Sequence, residues 1–163
     1  MVLDVLAKRI DVKFKSHKAG AQVAEGKLGV NKIILAKSNG YMNTSGGPTA
    51  ALLKFYDLQP AQLIVIHDEL DIDFGQLKIK FSGGHAGHNG LRSIISAIGN
   101  DFIRIRFGVG RPPGQQDPAD FVLKNFSSSE KKELDVLLEL STDMVETILA
   151  EGLTAAQQKY HSA

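Results

Sequence analysis

The sequence predicts a single α/β domain, on three observations. Stretches of strand character alternate with stretches of helical spacing, and Leu63-Ile64-Val65-Ile66 is a continuous apolar run of the kind covered on both faces in α/β sheets. That run leads straight into His67-Asp68-Glu69-Leu70-Asp71, and polar residues at the mouth of a buried strand are typical of α/β sites. The 163 residues, 43% of them hydrophobic, suffice for one ordinary core, and no repeat, low-complexity tract or linker divides them.

The chain opens on a helical face, Met1 to Ile10, with apolar Val2, Leu3, Val5, Leu6 and Ile10. No capping residue precedes it, so the helix is already running at the first residue. Lys13-Phe14-Lys15 and Ala21 to Glu25 read as loop and strand, Gly26 to Gly29 as a turn, and Lys32 to Lys37 as a short interior strand. Pro48 suits a first helical position, and a helix follows through Ala51, Leu52, Phe55 and Tyr56 until Pro60. Gln76 to Phe81 alternates, with Lys78 and Lys80 on one face and Leu77, Ile79 and Phe81 on the other, and Phe102 to Phe107 repeats the pattern with Arg104 and Arg106. Leu91 to Ile98 has helical spacing and stops at Gly99. A long loop follows from Gly110 to Pro118, then a short amphipathic segment, Ala119 to Phe126, suited to a lid. Ser127 and Glu130 have capping-box spacing and open a long helix lined by Leu134, Leu137, Leu138, Val145, Ile148 and Leu149; Gly152 ends it, and Thr154 starts a last helix.

Three stretches invite a functional reading, each with an ordinary structural one beside it. Ser82-Gly-Gly-His-Ala-Gly-His-Asn-Gly90 is a glycine loop that delivers Asn89 to a helix N-terminus, where free amides and the dipole suit phosphate or an oxyanion; Asn89 is equally an everyday N-cap. The two basic strands flanking it would make a phosphate-binding wall, or simply solvate their charges. His67 to Asp71 is either a site at a strand mouth or a solvated acidic turn.

Composition removes several classes. With no cysteine, disulfides, thiolate metal sites and a cysteine nucleophile are excluded. The formal charge of +1 leaves partners to local clusters. Met1 leads into a run broken by Asp4, Lys8 and Arg9, so neither a signal peptide nor a bilayer-spanning stretch is visible, and the chain reads as cytoplasmic with no membrane partner.

Four motifs, in order and at matching spacing, resemble bacterial peptidyl-tRNA hydrolase along nearly the whole chain: Tyr41-Met42-Asn43-Thr44-Ser45-Gly46, His67-Asp68-Glu69-Leu70-Asp71, Gly83 to Leu91, and Phe121-Val122-Leu123. The resemblance implies a mixed twisted sheet flanked by helices. It also implies cleavage of the ester joining a peptide to the terminal ribose of tRNA, on peptidyl-tRNA that has dropped off the ribosome or is trapped on a stalled large subunit, by a monomer without metal or other cofactor. It casts Asn43 and Asn89 as amides holding the tRNA's terminal nucleotide, the ester carbonyl and the attacking water. Tyr41 becomes an aromatic neighbour of the substrate, Asp68 the carboxylate that fixes the catalytic histidine's tautomer, and Lys80 and Arg106 a grip on the 5′ phosphate.

The chemistry wants these residue types. A base near neutral pKa should take the proton of water, for roughly 10² to 10⁴ in rate, and each amide aimed at the oxyanion adds roughly 10² to 10³. In the family the base is the histidine of a Thr-Arg-His-Asn stretch that follows a first strand and a Gly-Asn-Pro-Gly turn. Met1 to Asp4 resembles the helix after that stretch, so the first strand and the base histidine are expected to be missing here; His17, His67, His85, His88 and His161 do not match the motif position. Two rivals stand beside hydrolysis. One is an RNA-binding relative that has given up catalysis. The other is a metal hydrolase built on His67, Asp68, His85 and His88, whose spacing matches no metal motif.

Overall fold

In the computed structural model, residues 2–38, 46–69, 76–84, 89–108 and 128–161 are described. They divide into two compact units, one made of Leu3–Ile64 and Phe81–Ile103, the other of Val65–Lys80 and Arg104–Ala163.

The first unit begins with α1 (Val2–Arg9), as the apolar spacing predicts, and buries Leu6 and Ala7. The helix ends in Asp11, at φ 57°, where Val12 N–H reaches the Ala7 carbonyl and Asp11 N–H that of Lys8, the paired bonds of a Schellman cap. β1 (Lys15–His17), β2 (Ala21–Leu28) and β3 (Asn31–Ser38) form an antiparallel sheet with β2 in the middle. Two expectations change here. Gly26 is strand and not turn: its bare α-carbon faces Ile10 and Val12, and a Cβ there would lie 2.9 Å from Ile10 Cδ1. The turn is Gly29-Val30, with φ +65° at Gly29, the two-residue hairpin link that favours glycine first. β3 takes an end position in this sheet, so it alternates buried Ile33 and Leu35 with more exposed neighbours instead of being interior.

α2 (Gly46–Phe55) starts two residues before Pro48, buries Gly46 and Leu53, and leaves Phe55 exposed, so its inner face is not the one the apolar spacing predicts. It too ends in an aspartate, Asp57 at φ 55°, with Leu58 N–H on the Leu53 carbonyl and Asp57 N–H on that of Lys54. A 3₁₀ turn, Pro60–Gln62, follows. α3 (Asn89–Ile98) buries Leu91 and Ile94, packs on α2, and stops at Gly99 as read from the sequence.

The second unit carries the body of a second sheet. β4 (Ile64–Glu69), β5 (Leu77–Phe81) and β6 (Ile103–Gly108) lie in the order β4-β6-β5. Ile103 N–H bonds to the Leu63 carbonyl, placing the starts of β4 and β6 side by side, so these neighbours run parallel. Ser82 N–H bonds to Phe102 and Gly108 N–H to Gln76, which makes β5 and β6 antiparallel. The sheet is therefore mixed. β4 lies at an end of this order; Leu63 to Ile66 are only half-buried and His67 is buried, so the apolar run is not covered on both faces as expected. β6, read from the sequence either as part of a basic wall or as a half-exposed strand with solvated charges, lies in the middle with Arg104, Ile105, Phe107 and Gly108 buried.

α4 (Ser128–Glu151) turns Leu137, Leu138, Met144, Val145 and Ile148 inward. Its buried Ser141 and Thr142 satisfy their hydroxyls on the carbonyls of Leu137 and Leu138. Gly152, at φ +92°, breaks to α5 (Leu153–His161), one residue earlier than Thr154. Gln157 on α5 donates to the Ile79 carbonyl of β5. The Gly110 to Pro118 loop, Ala119 to Phe126 and the Ser127 cap lie outside the described residues.

Candidate active site

Asp68 sits in β4, one residue beyond His67. The strand takes in His67, Asp68 and Glu69, so the polar residues expected at its mouth extend the strand itself. His67 is buried and faces Arg104, also buried, whose Nε donates to His67 Nε2 at 3.2 Å. A ring nitrogen that accepts carries no proton, which puts the imidazole hydrogen on Nδ1. This pair ties the end strand β4 to the central strand β6 by side chains as well as backbone.

On the other side of β6, the bonds at Gln76 and Ser82 set Lys80 opposite Arg104 and Lys78 opposite Arg106. Leu77 and Ile79 occupy the other face with Phe107 and Ile105, all buried, as the alternation predicts, but Phe81, expected on that face, is exposed at the end of β5. Like charges directly opposite across antiparallel strands disfavour pairing. Arg104 is drawn to His67, toward β4, which relieves one of the two oppositions. Lys78 is exposed and Lys80 and Arg106 are half-buried, and Arg106 holds a buried Nε with no hydrogen-bond partner among the described residues. Such an arrangement suits an anion that can take up the remaining donors.

In the first unit, Asn89 is the first residue of α3, where the sequence places it, and the chain approaches through Ser82 and Gly83, both at positive φ. Gly46, the first residue of α2, gives its N–H to Ser93 Oγ of α3 at 2.8 Å. Tyr41 and Asn43 lie outside the described residues, as do the side chains of Asp68 and Asn89.

Two of the five histidines have settled roles. His67 accepts from Arg104, and His17 Nδ1 accepts from Ala19 N–H at 3.0 Å while its ring stands edge-on to Phe55, 4.7 Å between centroids. His85, His88 and the side chain of His161 lie outside the described residues. Among the described residues no group of three His, Asp or Glu is placed to hold a metal ion, and no helix is long and apolar enough to cross a membrane. Sequence reasoning put Arg104 on the basic face but missed that it is buried, and missed Ser93 altogether; a serine inside an apolar helical stretch was the only signal.

Comparison with known proteins decides the family. The model of the peptidyl-tRNA hydrolase family matches residues 1–163. The chain belongs to the peptidyl-tRNA hydrolase family. It is 55% identical over 166 residues to the peptidyl-tRNA hydrolase of an Arthrobacter species, covering 100% of this chain and 86% of that one. Over 164 residues it is 52% identical to the enzyme of Mycobacterium marinum, covering 99% and 86%. The crystal structure of peptidyl-tRNA hydrolase from Acinetobacter baumannii superposes with a TM-score of 0.91 at 29% identity, over 98% of this chain and 82% of that one. By this membership the chain is an enzyme, a hydrolase with the family's α/β fold of mixed sheets flanked by helices.

Proposed function

We propose that the chain acts on peptidyl-tRNA, hydrolysing the ester between the peptide and the terminal ribose and so returning free tRNA from drop-off products and from stalled large subunits. The observation that carries this is the family match across all 163 residues at 55% identity to a relative of that name. Asn43 and Asn89 hold the terminal nucleotide and the ester carbonyl, Tyr41 lies against the substrate, and Asp68 orients a base. Lys80 and Arg106 take the 5′ phosphate; their common face on β5 and β6, with the unpartnered Nε of Arg106, supports that reading. The enzyme works in the cytoplasm as a single-domain monomer, without a metal.

The base is the finer point. The family's base histidine stands in a Thr-Arg-His-Asn context, and none of His17, His67, His85, His88 and His161 does. Two of them are engaged in structural hydrogen bonds. The 163 residues alone should therefore bind peptidyl-tRNA but cleave it at least about 100-fold more slowly than a relative with that histidine, the low end of what a general base supplies. Release of tRNA from an N-blocked aminoacyl-tRNA tests this, and turnover equal to the relative's refutes it. The alternative, RNA binding with no cleavage, is read out as a strong salt slope of binding with no turnover.

A further inference from the structure

The last residue of α2 is a ring left on the surface and yet held in place. Phe55 is 53% exposed. His17 of β1 stands at 88° to it with 4.7 Å between centroids, and Tyr56 at 76° with 4.9 Å. His17 is itself fixed, since its Nδ1 accepts from Ala19 N–H. Lys18 Nζ lies over the Phe55 ring, 5.0 Å from its centroid, so that face of the ring is open to a charged group from solvent. Orienting an exposed ring adds little to a core, but it suits a ring on which another flat group stacks.

The register of the first sheet extends this spot into a basic track. Lys15 pairs with Val23 and His17 with Ala21, and residues two apart along a strand share a face, so Lys15, His17, Glu25 and Lys27 lie on one side together with Lys32, the partner of Lys27. Lys15, Lys18, Lys27 and Lys32 are all exposed. Like charges directly opposite disfavour strand pairing, and Lys27 against Lys32 is that case; an anion between them relieves it. Two acids stand nearby: Glu25 on the same face and Asp57, two residues past Phe55. Glu25 is engaged by Tyr56, whose hydroxyl is held above its ordinary value by burial and by that carboxylate. From Ala21, beside His17, to Lys27 is six residues, about 20 Å of strand, room for several nucleotides of an extended chain.

We propose that this face binds an unpaired RNA strand, with one base stacked on Phe55 and the phosphates following Lys18, Lys15, Lys27 and Lys32. An aromatic platform beside a basic track is how sequence-tolerant single-strand binders work. Duplex RNA cannot use the ring, because its bases already stack on one another, and an acidic peptide draws only on the lysines. The tRNA assignments use none of these residues, and Phe55 stands nine residues beyond Gly46, about 14 Å along α2. The strand is therefore a second RNA contact and not the 3′ end of the tRNA.

The test measures binding of a fluorescent 12-nucleotide oligouridylate to the 163-residue chain by anisotropy, across a salt series. Wild type should bind it. Phe55→Leu should weaken binding at least about 5-fold, the low end of what stacking one base on a ring supplies, and Phe55→Trp should bind as well as wild type. Affinity for an RNA duplex of the same length should hold in Phe55→Leu, which also shows that the variant is folded. Lys18→Ala and Lys32→Ala should each lower the magnitude of the single-strand salt slope by about 0.7. No binding by wild type, unchanged binding in Phe55→Leu, an equal loss for the duplex, or failure of Phe55→Trp to bind overturns the proposal. So does polyglutamate of matching charge that binds wild type as tightly as the oligonucleotide and loses as much in Phe55→Leu. If Phe55→Leu weakens binding of tRNA, and the loss vanishes once the tRNA's unpaired 3′ nucleotides are trimmed, the ring holds the tRNA's own end and the second contact is overturned.

Discussion

Arg104 donates through Nε to Nε2 of His67 across 3.2 Å, with both side chains buried in the sheet that carries Asp68. Deleting the acceptor leaves a guanidinium N–H without that partner in the interior, a change that costs about 2 kcal/mol. His67→Leu should lower the denaturant midpoint accordingly. His67→Gln, whose side-chain oxygen reaches much the same place, should recover most of the loss. Equal destabilisation by both variants would show that the ring's packing, and not the acceptor, matters.

Lys80 and Arg106 are half-buried on one face of β5 and β6. Replacing either with alanine should weaken binding of 5′-phosphorylated tRNA and reduce the magnitude of the salt slope by about one. Against tRNA with a 5′-hydroxyl the same substitutions should change little. A uniform loss on both tRNAs would mean that these residues touch the backbone generally and not the terminal phosphate.

Asp11 and Asp57 close α1 and α2 in the left-handed region, at φ 57° and 55°. That region is strained for residues with a Cβ, and glycine avoids the strain at some cost in unfolded-state entropy. Asp11→Gly and Asp57→Gly should each stabilise the fold by about 0.5 kcal/mol, measured by thermal unfolding. Destabilisation by either would mean that the carboxylate makes a compensating contact.

Asp4 meets Lys37 Nζ at 2.6 Å, and this hydrogen bond holds the Asp4 carboxyl below its ordinary value; Lys37 also lies over the Phe14 ring, 4.3 Å from its centroid. A carboxyl whose pKa is depressed by folding adds stability above its unfolded value of about 4 and loses it as pH falls through the folded one. Asp4 is well exposed, so the pair is worth under about 1 kcal/mol. Asp4→Asn should cost that small increment near pH 7 in low salt, and its difference from wild type should shrink as salt screens the pair or as the pH falls through the carboxyl range.

The elements were legible where local pattern decides. The apolar spacing of α1 and α3, the glycine stops at Gly99 and Gly152, and the two-faced alternation of β5 and β6, Phe81 excepted, emerge as read. What escaped depends on partners distant in sequence. Gly26 looks like a turn residue until Ile10 and Val12 pack on it, and Arg104 looks solvent-exposed until β6 is placed between β4 and β5. The inner face of α2 is set by α3, with a glycine in the contact, and hydrophobic spacing cannot report a glycine that matters for its smallness. The motifs named the family, while the His67–Arg104 and Gly46–Ser93 contacts had no signature in the sequence.

The measurement that bears most directly on the account is single-turnover release of tRNA from an N-blocked aminoacyl-tRNA by the 163-residue chain at saturating protein. Preorganised amides and binding accelerate ester hydrolysis even when the base is lacking. The predicted result is slow release above the buffer rate, which drops toward that rate in Asn89→Asp, a variant of matching size that loses the amide donors. Release at the buffer rate by the wild-type chain, or release unaffected by Asn89→Asp, would contradict it.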